Sequence, residues 1–324
     1  MKTILIGFGD IAEKHLDVLK ELNCDVIGIL TKNYDKALVK SKKFGIPNTY
    51  TSIQEILNAE CDFFMNLTSA DKISSTIMDL IPAGKPIFTE KPAGFSTEEI
   101  EQLIVQNNKF NCPIMVGTNR RFYSIFHKAI EFLSDKNKSI NTIKIDAPER
   151  FVNIKNPKFN DRIRKNWMFA NSIHSVDLIR FFGGDVKKIK SDSIPNESKF
   201  QATGICENGV KFSYSSNWNE SKKWNITILA DDIKIVFEPL EKGKIITNDH
   251  EVEIIPSIED VRFKPGFFSE LSYFLENVVT KNNTPWPGSN LEDHKKSIRL
   301  VAVSYTHLRA HETRHDLVCR LLLE

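Results

Sequence analysis

Gly7-Phe8-Gly9-Asp10-Ile11-Ala12 lies between a β-branched apolar run, Lys2 to Ile6, and a segment from Ile11 to Leu22 whose apolar residues recur at helical spacing. A glycine in the first place permits a tight strand-to-helix turn. A glycine in the third lets backbone N–H groups come close to a pyrophosphate, whose charge is favoured at a helix N-terminus. Ala12 stands where this spacing accepts glycine or alanine. Strand, turn, helix and a second strand (Val26 to Leu30) follow in the order that such a turn requires, so Gly7, Phe8, Gly9, Asp10, Ile11 and Ala12 are expected to cradle a dinucleotide. After the second strand, where an acid would take the ribose 2′-hydroxyl of NAD, the residues are Leu30-Thr31-Lys32-Asn33. Thr31 can donate a hydrogen bond and Lys32 can offset a 2′-phosphate, so NADP is expected over NAD. A lysine turned to solvent is the plain alternative. Thr68 and Ser69, just beyond the strand expected at Phe63 to Leu67, could bond the ribose or phosphates, although loop ends are often rich in such residues.

The elements that must hold this turn alternate as a doubly wound α/β domain does. Strands are expected at Lys2 to Ile6, Val26 to Leu30, Phe63 to Leu67, Pro86 to Thr89 and Ile114 to Gly117. Helices are expected at Ile11 to Leu22, Asp35 to Phe44, Ser52 to Asn58, Lys72 to Ala83 and Thr97 to Asn108, the last opened by a capping pattern at Ser96-Thr97-Glu98-Glu99. Past residue 118 the rhythm changes. A helix at Ser124 to Leu133 precedes alternating runs at Thr142 to Asp146, Val210 to Ser215 and Asn225 to Leu229, which suggest an open, mainly antiparallel sheet, with helices at Ser172 to Phe182 and Gly266 to Thr280. The segment Lys155 to Arg164 has no clear period and reads as a loop over a site. The expected division is therefore a dinucleotide-binding Rossmann domain over 1–118 and a substrate-binding and oligomerisation α/β domain over 119–303.

Composition agrees with two globular cores: the 324 residues are 41% hydrophobic and 27% charged, with a net charge of +2. Lysine and arginine are spread along the chain, so no nucleic-acid partner is expected. No apolar run approaches a membrane span or a signal peptide, and a cytoplasmic protein is expected. The five cysteines are scattered without a C-x-x-C pair, which predicts reduced thiols and no metal. Glu292 to Leu300 reads as a final helix, whereas Ser304 to Glu324 looks unrelated to it and resembles translated vector or adaptor read-through.

Thr89-Glu90-Lys91-Pro92-Ala93, Gly117-Thr118-Asn119-Arg120-Arg121-Phe122 and Asn171-Ser172-Ile173-His174-Ser175-Val176-Asp177, together with the opening turn, resemble the Gfo/Idh/MocA family of NAD(P)-dependent sugar and cyclitol oxidoreductases. The resemblance extends to about residue 302. It implies a site between the domains, with Glu90 and Lys91 beside the nicotinamide and contacts between copies through the open sheet, hence a homodimer or homotetramer. Hydride transfer at a carbinol carbon requires a proton to leave its oxygen, and Lys91 and His174 are the groups placed to exchange it. A desolvated ammonium has a lowered pKa suited to that role. His174 and Asp177 match the last two members of the family's D-x-x-x-H-x-x-D pattern. The first acid is replaced by Ala170, with Asn171 beside it as a possible substitute.

Asn119, Arg120 and Arg121 follow the last Rossmann strand at the carboxyl edge, where such sheets bind ligands; Asn119 is expected at the cofactor. Arg120 or Arg121 could clamp a carboxylate or phosphate of a sugar-like substrate, or form an interdomain salt bridge. Arg164 and Trp167 approach the His174 helix in sequence. Trp167 could stack on a sugar ring or simply pack. Asp177, three residues after His174, could hold the imidazole. Hydride transfer on a sugar, cyclitol or sugar derivative is the leading reading. A non-catalytic dinucleotide- and sugar-binding regulator, or a redox-assisted lyase or hydrolase, is the alternative.

Overall fold

The computed structural model describes residues 1–194, 198–248 and 250–305. Six strands form the first sheet: β1 (Lys2–Ile6), β2 (Asp25–Leu30), β3 (Asn48–Tyr50), β4 (Phe63–Asn66), β5 (Ile87–Glu90) and β6 (Ile114–Gly117). Their order is β3-β2-β1-β4-β5-β6 and every neighbouring pair is parallel. Strands covered on both faces must be apolar throughout, and Phe63, Phe64 and Met65 of β4 are all buried. The helices that cover them are α1 (Asp10–Glu21), α2 (Tyr34–Phe44), α3 (Ile53–Leu57), α4 (Ile73–Leu80) and α5 (Thr97–Asn107). Ser96 caps α5 by accepting from Glu99 N at 3.2 Å, as its sequence pattern predicts. Strand order reverses between β1 and β4, and the crevice at their carboxyl ends is where such sheets hold a ligand. β3 was not expected. Its three residues carry no apolar run, and pairing with β2 is what makes them a strand.

The second sheet contains β7 (Thr142–Asp146), β8 (Val186–Ser191), β9 (Lys199–Cys206), β10 (Lys211–Asn217), β11 (Asn225–Ala230), β12 (Ile233–Phe237), β13 (Gly243–Ile246) and β14 (Glu251–Ile254). The order is β14-β13-β12-β11-β7-β10-β9-β8, antiparallel except where β7 meets β10. Alternate residues Phe212, Tyr214 and Ser216 of β10 are buried towards the helical layer. That layer comprises α6 (Ser124–Asp135), two short helices α7 (Phe151–Ile154) and α8 (Asp161–Lys165), α9 (Ile173–Gly183), α10 (Ile258–Arg262), α11 (Phe267–Tyr273) and α12 (Leu291–Tyr305).

Three local readings change. The expected loop at Lys155 to Arg164 contains the start of α8, whose N-cap Asn160 accepts from Ile163 N at 3.0 Å. This segment is held to α5 and to the turn after β4, since Arg162 donates to Glu99 at 2.6 Å and Asn160 to Asp71 at 3.0 Å. The helix carrying His174 is preceded by a π turn at Met168–Ser172, and α11 continues into another at Phe274–Val279. Finally, α12 runs through Tyr305, with the Ser304 carbonyl accepting from Ser193 Oγ at 2.9 Å. The remainder of the suspected tail, 306–324, and Cys319 with it, lies outside the described residues; Cys24, Cys61, Cys112 and Cys206 are buried free thiols.

The chain returns to the first sheet after building the second. Phe267, Leu271, Phe274 and Val278 share one apolar cluster with Leu5, Leu19, Phe63 and Phe88, and Val116 N donates to Ser289 O at 2.7 Å. No helix among the described residues is long and apolar enough to cross a membrane.

Candidate active site

Gly7 has φ +88°, and a Cβ there would lie 2.6 Å from Leu67 O, so only glycine fits where β1 passes β4. Gly9 differs: a Cβ there would meet no protein atom within 4 Å. Its missing side chain leaves open space in front of α1, whose N-terminus has no side-chain cap. Uncapped first-turn N–H groups facing open space fit a pyrophosphate. An open groove of about 700 Å³ continues past Phe8, Thr31, Lys32 and Lys36. Lys32 and Lys36 are exposed and have no ion pair among the described residues, whereas Lys40 pairs with Glu13 at 2.5 Å. The Thr31 hydroxyl donates to Asn33 O at 2.8 Å, so its proton is already engaged. Thr68 donates to Asn66 at 2.7 Å and Ser69 to Asp71 at 2.7 Å, so both hydroxyls brace their own loop.

Glu90 ends β5 and Lys91 follows it in a cis peptide with Pro92. His15, wholly buried on α1 and stacked on Phe267 at 4.4 Å, bonds Glu90 at 2.9 Å through Nε2. Burial opposes ionisation of Glu90, but the bond and charge of His15, with Lys91 and Lys264, hold its carboxyl below the usual range. Lys91 Nζ donates to Ala170 O at 2.6 Å. Burial lowers its ammonium to about 8; Arg120 and Lys264 push the same way, against the pull of Glu90 and Glu149.

Lys91 lines a small cavity with Thr118, Arg120, Ile173, His174, Asp177 and His294. His174 is half-buried, and burial followed by the charges of Arg120, Lys91 and Lys264 drives its pKa well below the usual histidine value. Its imidazole is therefore neutral near pH 7 and can accept a proton-bearing group or donate one N–H. Arg120 stacks its guanidinium 4.8 Å from the Trp224 ring centroid. Arg121 points elsewhere. Fully buried, it donates to both oxygens of Asp177 at 2.7 and 2.6 Å and pairs with Asp293 at 2.8 Å. Asp177 also accepts from Ser297 at 2.5 Å. Of the two arginines, then, Arg121 forms the interior salt bridge, and Arg120 lines the cavity with no ion pair among the described residues. Asp177, expected to hold the His174 ring, instead holds Arg121.

Asn119 is buried and donates to Pro265 O at 3.0 Å, tying the loop before α11 to the end of β6. Arg164 bonds within its own segment, to Asp161 and to Asn156 O, each at 3.3 Å. Trp167 is buried with Phe159 edge-on at 5.2 Å, which is packing and not an open stacking platform. Asn171 donates to Glu149 at 2.8 Å, and Ser172 Oγ does the same. Glu149 and His294 were not anticipated. Glu149 follows β7 at Pro148, and burial raises its pKa against the bonds from Ser172 and Asn171. His294 accepts from Ala93 N at 3.2 Å, and burial lowers its pKa to about 4. A carboxylate just past a strand end was a usable signal for Glu149; a histidine in the final helix had none.

The parallel sheet, the glycine cradle and the lysine beside it coincide with a known pattern, because residues 1–118 match the model of the Gfo/Idh/MocA oxidoreductases with an NAD-binding Rossmann fold. That match covers the first 118 of the 324 residues. Oxidoreductase P35 of Formosa agariphila is 25% identical over 238 residues, covering 66% of this chain and 72% of that one. Myo-inositol 2-dehydrogenase of Thermotoga maritima is 21% identical over 333 residues, covering 93% and 94%. Levoglucosan dehydrogenase, solved with NADH and L-sorbose, superimposes with a TM-score of 0.80 at 14% identity, covering 95% of this chain and 97% of its own; the two share a fold. Ala170, where the resemblance leads one to expect an acid, has no side-chain acceptor. Its carbonyl, in the π turn, meets Lys91 instead.

Proposed function

We propose that this protein is an NAD(P)-dependent oxidoreductase that moves a hydride between the nicotinamide and a hydroxyl or carbonyl carbon of a sugar, cyclitol or sugar derivative. The observation that carries this reading is Lys91, with an ammonium at about 8, anchored at 2.6 Å on Ala170 O and facing one cavity with His174. A proton exchanger works best when its pKa lies near the working pH. The bound cofactor supplies the hydride acceptor or donor. In the oxidative direction the neutral amine of Lys91 takes the substrate's O–H proton while the C–H hydride leaves, and a C=O bond forms. In the reductive direction the ammonium returns that proton to the oxygen. His174, neutral, orients the same oxygen by a hydrogen bond, and Arg120 adds positive charge that steadies an alkoxide.

NADP is the preferred cofactor in this reading, because Lys32 and Lys36 present unpaired charge along the groove where the 2′-phosphate would lie. Thr31 contributes less than its position suggests, since its donor is engaged. A sugar or cyclitol substrate is supported by the relatives' names, which include an inositol dehydrogenase and an enzyme solved with L-sorbose. The protein is further proposed to be cytoplasmic and to assemble as a homodimer or homotetramer through the open sheet.

The test is a screen of NADP+ and NAD+ against sugars and cyclitols, and of NADPH and NADH against keto-sugars, with Lys91→Met as control. Turnover that falls at least roughly 1000-fold in Lys91→Met, with cofactor Kd within a factor of about three, is expected. Full activity in that variant removes the mechanism, and NAD binding about tenfold tighter than NADP removes the preference.

A further inference from the structure

We propose that Arg120 binds a carboxylate of the substrate, so that the molecule oxidised or reduced at Lys91 is a sugar acid or related hydroxy acid and not a neutral sugar. The inference rests on the oxidoreductase reading and names the substrate class for it.

Two adjacent arginines have opposite fates. Arg121 is fully buried and saturated by Asp177 and Asp293. Arg120 is half-buried and has neither an ion pair nor a hydrogen bond among the described residues, and its Nε is enclosed without a partner. Leaving a guanidinium N–H out of water and unbonded is costly, so an acceptor that completes it is favoured there. The nearby carboxylates are engaged elsewhere, Glu90 with His15, Asp177 with Arg121, and Glu149 with Asn171 and Ser172, and none of them forms an ion pair with Arg120 among the described residues. The side chain is nonetheless aimed. Its guanidinium carbon lies 4.8 Å from the Trp224 ring centroid, a cation–π distance that restrains where the side chain sits.

The surroundings favour negative charge. Arg120 and Lys91 line the same cavity, and their combined charge helps keep His174 neutral. A fork of planar N–H donors matches the two oxygens of a carboxylate, which gives orientation as well as charge. The guanidinium and Nζ border one cavity of about 10 Å³, room for a single water, so a molecule that reaches both groups enters only as the cavity widens, with its carboxylate and reacting carbinol close together. Fixing the carboxylate on Arg120 then sets which carbinol reaches Lys91, making Arg120 a specificity residue.

The test compares matched pairs that differ at one carbon: D-glucuronate with D-glucose and D-galacturonate with D-galactose, with glucose 6-phosphate as a further anion. Each is assayed with wild type, Arg120→Gln and Arg120→Lys, by steady-state kinetics and by calorimetric binding to the cofactor-loaded protein. Wild type is expected to prefer the acid by at least about tenfold in kcat/KM, and Arg120→Gln to reduce the acid-to-neutral ratio by roughly 100-fold, the effect of losing a bidentate charged contact. Arg120→Lys should restore part of it, because lysine keeps the charge and loses the fork. No preference for acids in wild type, an unchanged ratio in Arg120→Gln, a preference for the phosphate over both uronates, or a loss confined to cofactor affinity each overturns the proposal. Arg120-dependent uronate binding without any turnover supports it and removes the oxidoreductase reading instead, so the two failures are distinguishable.

Discussion

Replacing Asp177 by asparagine separates a structural role from a catalytic one. The family pattern places this residue with His174, but the fold gives its oxygens to Arg121 at 2.7 and 2.6 Å and to Ser297 at 2.5 Å. Asparagine conserves shape and removes the charge. Both oxygens meet the guanidinium, so whichever becomes an NH₂ group turns a charge-assisted bond into contact between donors. Breaking a buried pair from one side costs about 3–5 kcal/mol. Arg121 keeps Asp293 at 2.8 Å, which puts the expected loss near the lower end, about 3 kcal/mol. Equilibrium urea unfolding measures it, with Trp286, 4.4 Å from the Arg121 guanidinium, as a fluorescent reporter at the site. Burial opposes ionisation of Asp177, but Arg121 holds its carboxyl below the ordinary aspartate range. Its stabilisation is therefore present at neutral pH and is lost only as pH falls through that lowered value, so the gap between wild type and variant closes only in strong acid. At a temperature where both are folded, kcat should differ by no more than about fivefold. An unchanged urea midpoint with a kcat lowered more than about 100-fold would refute the reasoning and return Asp177 to the chemistry.

The pH profile should report Lys91: kcat/KM for oxidation rises with an apparent pKa of about 8 and that for reduction falls through the same value, because the neutral amine serves one direction and the ammonium the other. Glu149→Gln removes a negative charge that favours the ammonium and so shifts both limbs to lower pH; a purely structural role would leave them in place. Gly9→Ala adds a methyl that meets no protein atom, so stability should hold within about 0.5 kcal/mol while cofactor Kd rises at least about tenfold. Gly7→Ala should behave oppositely and unfold the protein readily, since φ is +88° and Leu67 O lies 2.6 Å from the new carbon.

Legibility followed the range of the interactions. The strands β1, β4, β5 and β6 are largely buried on both faces, as is the second half of β2, and they announce themselves as short apolar runs. The glycine turn is local, and its two glycines keep their separate reasons in the fold. β3 and the outer strands of the second sheet exist through pairing across long separations, and their composition gave little sign of it. The same limit governed the site. Ala170 looked like a deletion of function because side chains are what a motif displays, whereas a π turn offers a backbone carbonyl that the residue's name does not reveal.

The local chain determined the dinucleotide turn, the Glu90-Lys91-Pro92 step and the helix carrying His174, because each is encoded within a few residues. Tertiary structure alone decided which of two neighbouring arginines is interior. The choice depends on where α9 and α12 bring Asp177 and Asp293, and carboxylates distant in sequence compete for the charge of Arg121 only once the helices have packed. The same packing left Arg120 without an acidic partner among the described residues, at the edge of the cavity that Lys91 lines.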